Sequence, residues 1–414
     1  MTSKDKSYER SQTNKGMRNV LMLGLVSFFT DFSTEMVLGI LPLFIVNNLG
    51  ASRAILGAIE GSAELTSYSF RMISGPLSDK MRKRKIFILI GYGLSTISKP
   101  FFIIATAWFD AFLVRTVDRI GKGVRTAPRD ALIADSVSDS ISGKAFGVHR
   151  AMDQAGAIVG PLIAFAILQV SDIRAVFLFS LIPGAIAVVI LIFFVKDIKM
   201  KKLSSFSTTF FGNISNTLKN NTPFVILLIV TGIFSLGAFN FSFILLKASD
   251  LGIQQSVIPL VYATINISHT IIGIPAGLLA DKIGKEKVLI LGYFILVISS
   301  TLMVLFTGNN YLYAYYLALV FGLYVGISET VQRAVIPKYV SASLRGTAYG
   351  LYNLVTGTCL FVCNITFGYI WDNYSINLAI LYSLFFSLCA IGGMIMLIKK
   401  YSYWSTDIIN KPPI

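Results

Sequence analysis

The chain has 414 residues, of which 54% are hydrophobic and only 14% charged, with a formal net charge of +15. Soluble domains carry about 25% charged residues, and the apolar runs here reach the ~20 residues that cross ~30 Å of hydrocarbon, which excludes an ordinary soluble enzyme. A strongly basic balance points to nucleic acid in a soluble protein, but the placement of these charges excludes that partner.

Residues 1–19 form a polar tail of mixed charge, and the first apolar run is too long and too acidic for a cleavable signal peptide. Transmembrane helices are predicted at about 20–46, 55–78, 86–107, 109–134, 145–169, 175–195, 224–246, 256–279, 288–306, 311–336, 347–370 and 378–398. The Lys and Arg between these spans fall in the tails and in the loops after even-numbered spans; only Arg53, Arg174 and Lys247 fall in loops on the other side. Positive loops stay in the cytoplasm, so both termini are expected inside and the span number is even.

Span 1 carries Asp31 and Glu35, four residues apart and therefore on one helix face. At 1.5 Å per residue they lie roughly 16 Å and 22 Å from the cytoplasmic end. Span 2 repeats the spacing with Glu60 and Glu64, adds Arg71, and closes on Gly75-Pro76-Leu77-Ser78-Asp79-Lys80. Lys99 precedes Pro100 in span 3, where snorkelling or structural pairing is expected. Span 4 holds Arg115 and Asp118 at the start of an unusual run, Asp118-Arg119-Ile120-Gly121-Lys122-Gly123-Val124-Arg125-Thr126-Ala127-Pro128-Arg129-Asp130. Span 5 opens on Gly143-Lys144-Ala145-Phe146-Gly147, carries Arg150 and Asp153, and continues to Gly156 and Gly160-Pro161.

The longest hydrophilic interruption, 196–223, begins with Lys196, Lys199, Lys201 and Lys202 and separates an N-terminal six-helix half, 20–195, from a C-terminal half, 224–398, with a tail at 399–414. In the second half, Asn240 in span 7, Asn266 and His269 in span 8, Tyr324 in span 10 and Asn353 in span 11 are candidate solute contacts. A lone membrane histidine also serves as an interhelical hydrogen-bond partner, and Phe239, Phe241, Tyr262, Tyr324 and Phe361 either line an amphipathic pocket or simply pack. Glu329 and Arg333 are the only charges placed within the C-terminal helices. Cys359, Cys363 and Cys389 lie within spans without His or acid partners, so they read as packing residues and no metal site is expected.

The halves repeat. Gly75–Lys80 recurs as Gly277-Leu278-Leu279-Ala280-Asp281-Lys282, and Gly143–Gly147 as Gly346-Thr347-Ala348-Tyr349-Gly350, at nearly one offset. Two motif pairs in register indicate a duplicated six-helix unit. Parallel halves about an axis normal to the membrane leave a cleft between them, and rocking about it gives alternating access.

These features resemble the major facilitator superfamily across essentially the whole chain. The family's loop motif matches Gly75 to Arg84, with Asp79 as its acid and Arg82 where glycine is usual; the second copy, Gly277 to Glu286, keeps Gly284 but has Glu286 at a usually basic position. The resemblance implies an all-α fold of twelve transmembrane helices in two six-helix bundles around a central cavity. It implies that spans 1, 4, 7 and 10 line that cavity and that Asp79 acts as a conformational latch. Gly147, Gly156, Gly160 and Pro161 resemble the antiporter motif associated with export, although Ala164 and Phe165 replace its trailing glycines; Gly156-x-x-x-Gly160 is also a generic close-packing motif. Arg115 stands at the position of the family's proton-linked arginine, with Arg119 where glycine is usual. Thr30–Met36 and the span 4 run resemble a bacterial subgroup of unassigned substrate, which implies the inner (plasma) membrane.

A charge at mid-bilayer costs about 2.5–3.5 kcal/mol on insertion scales, so Asp31, Glu35, Glu60, Glu64, Arg71, Lys99, Arg115, Asp118, Arg150 and Asp153 each call for a reason. Two carboxylates close together in low dielectric do not both ionise easily, so Asp31 or Glu35 is expected to carry a proton, with Arg115 stabilising the unprotonated state. A static ion-pair network is the competing reading, and it is the favoured one for Glu60, Glu64, Arg71, Arg150 and Asp153. No Gly-x-x-x-x-Gly-Lys-Ser/Thr loop, Gly-x-Ser-x-Gly elbow, His-Glu-x-x-His helix or Cys-x-x-Cys pair is present, so no nucleotide, cofactor or catalytic role is expected. The expected activity is proton-coupled secondary transport of a small organic solute by a monomer, with export of a drug-like compound or siderophore favoured. Import of a nutrient or metabolite is the alternative, and a receptor that moves nothing is the third reading.

Overall fold

The computed structural model describes residues 3–198, 218, 221–341 and 344–401; the predicted linker and C-terminal tail fall largely outside these, as do Lys199, Lys201 and Lys202. The described residues form helices and no strands. Ten stretches are long and apolar enough to cross a membrane: α1 (Gly16–Asn48), α3 (Arg84–Ile104), α5 (Ile141–Leu168), α6 (Ile173–Phe193), α7 (Thr222–Asp250), α8 (Ile258–Ile283), α9 (Lys285–Leu305), α10 (Tyr311–Lys338), α11 (Arg345–Asn373) and α12 (Ile376–Tyr401). Two more helices, α2 (Arg53–Met81) and α4 (Trp108–Ser136), complete a set of twelve. At 29 residues each they reach about 43 Å at 1.5 Å per residue, ample for a span. Hydropathy alone passes over them because they hold the charges, Glu60, Glu64 and Arg71 in α2 and the 115–130 run in α4.

Local sequence explains where the helices break. The turn after α1 is closed by Gly50 at φ 65°, a conformation that costs a glycine nothing. Pro100 removes an N–H donor, and α3 tightens there into a 3₁₀ segment, Lys99–Ile104. Asp172 caps α6 by accepting from the Ala175 amide at 3.0 Å, and Asn310 caps α10 from Leu312 at 3.1 Å. The α7 span is two helices, Thr222–Gly237 and Phe241–Asp250, with Asn240 at the break.

The chain divides into two units, one drawn from residues 1–50, 66–203 and 255–263, the other from 51–65, 204–254 and 264–414. The opening turns of α2 are thus grouped with α7 and α11, and those of α8 with α1. In the first unit, α1, α3, α4 and α6 share an apolar cluster built on Val20, Leu23, Ile88, Tyr92, Leu132, Ile133 and Leu191. The second is aromatic: Phe234 stacks on Tyr293 at 3.6 Å, Phe239 on Phe367 at 4.5 Å, and Phe321 meets Tyr324 edge-on at 5.4 Å.

Candidate functional site

The first unit carries a connected charge network across α1, α3, α4 and α5. Small residues bring the helices close enough to make it. A Cβ on Gly156 would lie 2.2 Å from the Phe28 carbonyl oxygen, and one on Gly160 2.7 Å from that of Phe32, so α5 lies directly on the α1 backbone. Gly121 does the same for α4 against the Gly91 carbonyl of α3, at 2.5 Å. Gly147, the first glycine of the antiporter-like motif, has nothing within 4 Å and takes no part in this packing, whereas Pro161 is buried.

The α5–α1 contact carries Asp153 to Asp31, and the two carboxyls meet directly. Behind Asp153 stand Arg150, at 3.3 Å, and Arg129, at 4.0 Å. Arg129 also holds Asp130 at 2.9 Å and donates to Ser27 Oγ at 3.2 Å. Ser27 is bonded in turn to Tyr92 and to His149, each at 2.9 Å. The structure brings Asp153 to Asp31, with Arg150 paired to Asp153.

Glu35, one turn along α1, accepts from the Tyr262 hydroxyl of α8 at 2.5 Å. The cations acting on it are Lys122, Arg119 and Arg115 of α4. Arg115 itself pairs with Asp118 on its own helix at 3.3 Å, and Arg119 approaches the same carboxylate at 3.8 Å. Arg125 donates to Ser95 at 2.7 Å and lies 4.5 Å from the Tyr92 ring centroid. Lys99 does not snorkel: it is buried and donates to Ser33 at 2.7 Å and Thr34 at 3.0 Å. Arg115, Asp118 and Arg119 are buried, whereas Asp31, Glu35, Lys122 and Asp153 are partly accessible although they lie mid-span. Lys122 and Arg129 stand in the sequence only as members of the span 4 run, and Tyr262 as an aromatic that lines a pocket or packs; its bond to Glu35 has no signal in the spacing.

The loop motif forms a compact ion-pair set. Arg84 bonds Asp79 at 3.2 Å and also holds Asp135 at the end of α4, while Gly75 faces the Ala127 side chain. In the second unit the matching loop exposes Asp281, places Gly277 beside Thr330, and buries Glu286 against Lys338 and Tyr339, each at 2.6 Å.

The remaining candidates lie in the second unit. Glu60 is buried and Glu64 partly accessible. Asn240 caps the second half of α7 by accepting from Ser242 at 2.9 Å, and its own amide donates to Asn364 at 2.8 Å, so its side chain holds the helix break. His269 lies 3.5 Å from Glu329, and the carbonyl of the buried Asn266 accepts from Thr270. Tyr324 belongs to the aromatic core, and Asn353 is partly accessible on α11. Among the described residues no group of His, Cys, Asp or Glu is arranged to hold a metal.

The model of the Major Facilitator Superfamily matches residues 23–362, most of the chain. The chain belongs to the major facilitator superfamily. Its superfamily relatives include an uncharacterized MFS-type transporter of Methanocaldococcus jannaschii, 33% identical over 392 residues and covering 92% of this chain and 94% of the relative. The quinolone resistance protein NorA of Staphylococcus aureus is 26% identical over 189 residues, 46% of this chain and 48% of NorA. Among solved superfamily structures, a mutant of the nucleoside transporter NupG matches with a TM-score of 0.77 at 16% identity, covering 92% of this chain and 99% of that one. As a superfamily member the protein is a multi-pass membrane transporter and not an enzyme.

Proposed function

We propose that this transporter couples the movement of protons to the export of a small organic solute by alternating access, working as a monomer of two halves, 20–195 and 224–398, with both termini in the cytoplasm. The observation that carries the reading is the pair of acids one turn apart on α1, Asp31 with a carboxyl partner and Glu35 with a phenol partner, both partly accessible at mid-span. A charge held there costs several kcal/mol unless it does work, and a carboxyl that gains and loses a proton as it meets either side is what coupling requires. Each charge moved across 100 mV is worth about 2.3 kcal/mol. Two features favour export: the partial likeness to NorA and the Gly147, Gly156, Gly160, Pro161 motif, whose second and third glycines seat α5 on α1 beside the acids.

Proteoliposomes test both parts. With a lumen more acidic than the bath, a fluorescent quinolone or another candidate solute accumulates inside if protons leave in exchange for it. A symporter accumulates its solute only under the opposite gradient. Solute movement that ignores a gradient of either sign would remove proton coupling from the account.

A further inference from the structure

Asp153 of α5 brings a second carboxyl to Asp31 of α1, both of them mid-span on long helices and partly accessible. Two carboxylates at contact repel each other, and a carboxyl oxygen accepts a hydrogen bond but donates one only when protonated. The contact therefore holds when one proton lies between the pair. Which acid owns that proton follows from the surroundings. Asp153 is flanked by two guanidinium groups, Arg150 at 3.3 Å and Arg129 at 4.0 Å, which favour its anionic form. Among the described residues, the cation that acts on Asp31 from α4 is a lysine, Lys122. Asp31 also has the like charge of Glu35 on its own helix and the buried Lys99 of α3; α6 presents no charge from Ala175 to Phe193.

We propose that Asp31 and Asp153 hold one proton between them, Asp31 as donor and Asp153 as acceptor, so that Asp153 is a positioning residue for the transported proton. This rests on the reading of Asp31 as a proton site and adds its partner. When the O–H bond of Asp31 breaks, the proton passes to water and the electron pair stays on Asp31. The new carboxylate is then repelled by Asp153 and drawn to Lys122. Loss of one proton thus exchanges an α1–α5 hydrogen bond for an α1–α4 ion pair. The glycine contacts at Gly156 and Gly160 make this exchange a local one, since the backbones of α1 and α5 already touch there.

Dicyclohexylcarbodiimide reacts with protonated carboxyls in apolar surroundings, and mass spectrometry of the purified full-length protein at pH 7 locates it. Asp31 is expected to be labelled and Asp153 not. Asp153→Asn removes the anion that retains the proton, and labelling of Asp31 falls about tenfold, the effect of one unit in proton affinity. Asp153→Glu keeps the acceptor and retains the labelling. Equal labelling of both acids, an unlabelled Asp31, or an Asp153→Asn protein labelled like the wild type overturns the proposal; the wild-type comparison decides even if the Asn variant does not fold. No solute or gradient is involved, so the two readings fail separately. Gradient-independent flux with Asp153-dependent labelling removes coupling and leaves the pair, and gradient-driven flux with Asp153-independent labelling does the reverse.

Discussion

Lys338 donates to Glu286 at 2.6 Å, in the same places of the second repeat that Asp135 and Arg84 occupy in the first, with the charges exchanged. Residue 84 maps to 286 at the offset of the loop motif, and 135 maps to 338 at the offset of the span 5 motif. This gives a physical reason for the glutamate at a usually basic position of the second loop: the pair was kept and its polarity reversed. Glu286 is buried, so Glu286→Arg leaves two cations facing each other and is expected to cost about 1–3 kcal/mol, seen as a lower unfolding midpoint in detergent. Adding Lys338→Asp should recover at least half of the loss. A double variant no better than the single one would show that the two residues are not partners in the sense described.

Arg82 occupies the left-handed region at φ 53°, and its counterpart Gly284 does so at φ 100°. An L-residue pays roughly 1–2 kcal/mol for that conformation, part of which glycine returns through its freer unfolded chain. Arg82→Gly is therefore expected to stabilise the protein by about 0.5–1 kcal/mol, while Gly284→Ala destabilises it. Thermal unfolding of the two variants side by side checks both signs.

The antiporter-like glycines separate into two kinds. Gly156 has no room for a methyl group against the Phe28 carbonyl, and Gly147 has open space around it. Gly156→Ala should push α5 off α1, part Asp153 from Asp31 and abolish gradient-driven flux. Gly147→Ala should leave flux intact and add about 0.5–1 kcal/mol through the better helix propensity of alanine. Equal behaviour of the two would mean that the motif acts by something other than this packing.

At the start of α2, Arg53 reaches Asp250 of α7 at 3.6 Å and Asp372 of α11 at 3.5 Å, with its guanidinium 4.9 Å from the Trp371 ring centroid. Asp372 also accepts from the Ala54 amide at 2.9 Å, so it caps the helix as well as pairing the charge. Asp372→Ala removes the cap as well as the pair and should therefore destabilise by about 1 kcal/mol, and Asp250→Ala, which loses only an exposed pair, by less than about 0.5 kcal/mol. Unfolding midpoints that rank the two the other way would remove the capping role.

Much of this was legible in the sequence. Ten of the twelve spans follow from hydropathy alone, and the repeated loop motif and the α1 acids follow from offsets and the four-residue spacing. The α4 stripe was also there to be seen: Arg115, Asp118, Arg119, Lys122, Arg125 and Arg129 recur at three- and four-residue steps and so share one side of a helix. What spacing does not reveal is the partner. Asp31 meets Asp153 because Gly156 lets two backbones touch, and Glu35 meets Tyr262 from a helix more than two hundred residues away. Asn240 reads as a candidate solute contact because a polar residue inside an apolar span invites it; its side-chain oxygen also caps a helix break, a demand invisible until the break is seen.

The α1 acids make the most direct prediction about transport. Asp31 has a carboxyl for a partner and Glu35 a phenol, and the two carboxyls feel the same cation, Lys122. If Asp31 carries the proton, Asp31→Asn should leave solute exchange running but uncouple it, so that accumulation under a pH gradient falls to the level reached without one. Glu35→Gln keeps a group able to accept from Tyr262, and it should slow flux severalfold while preserving its dependence on the gradient. Tyr262→Phe removes that hydrogen bond altogether and should slow flux more than Glu35→Gln does, again with the dependence on the gradient preserved. The measurement is accumulation against the imposed gradient for the three variants. Coupling that survives Asp31→Asn and disappears in Glu35→Gln would move the carrier one turn along α1, and coupling that survives both would take it off the helix altogether.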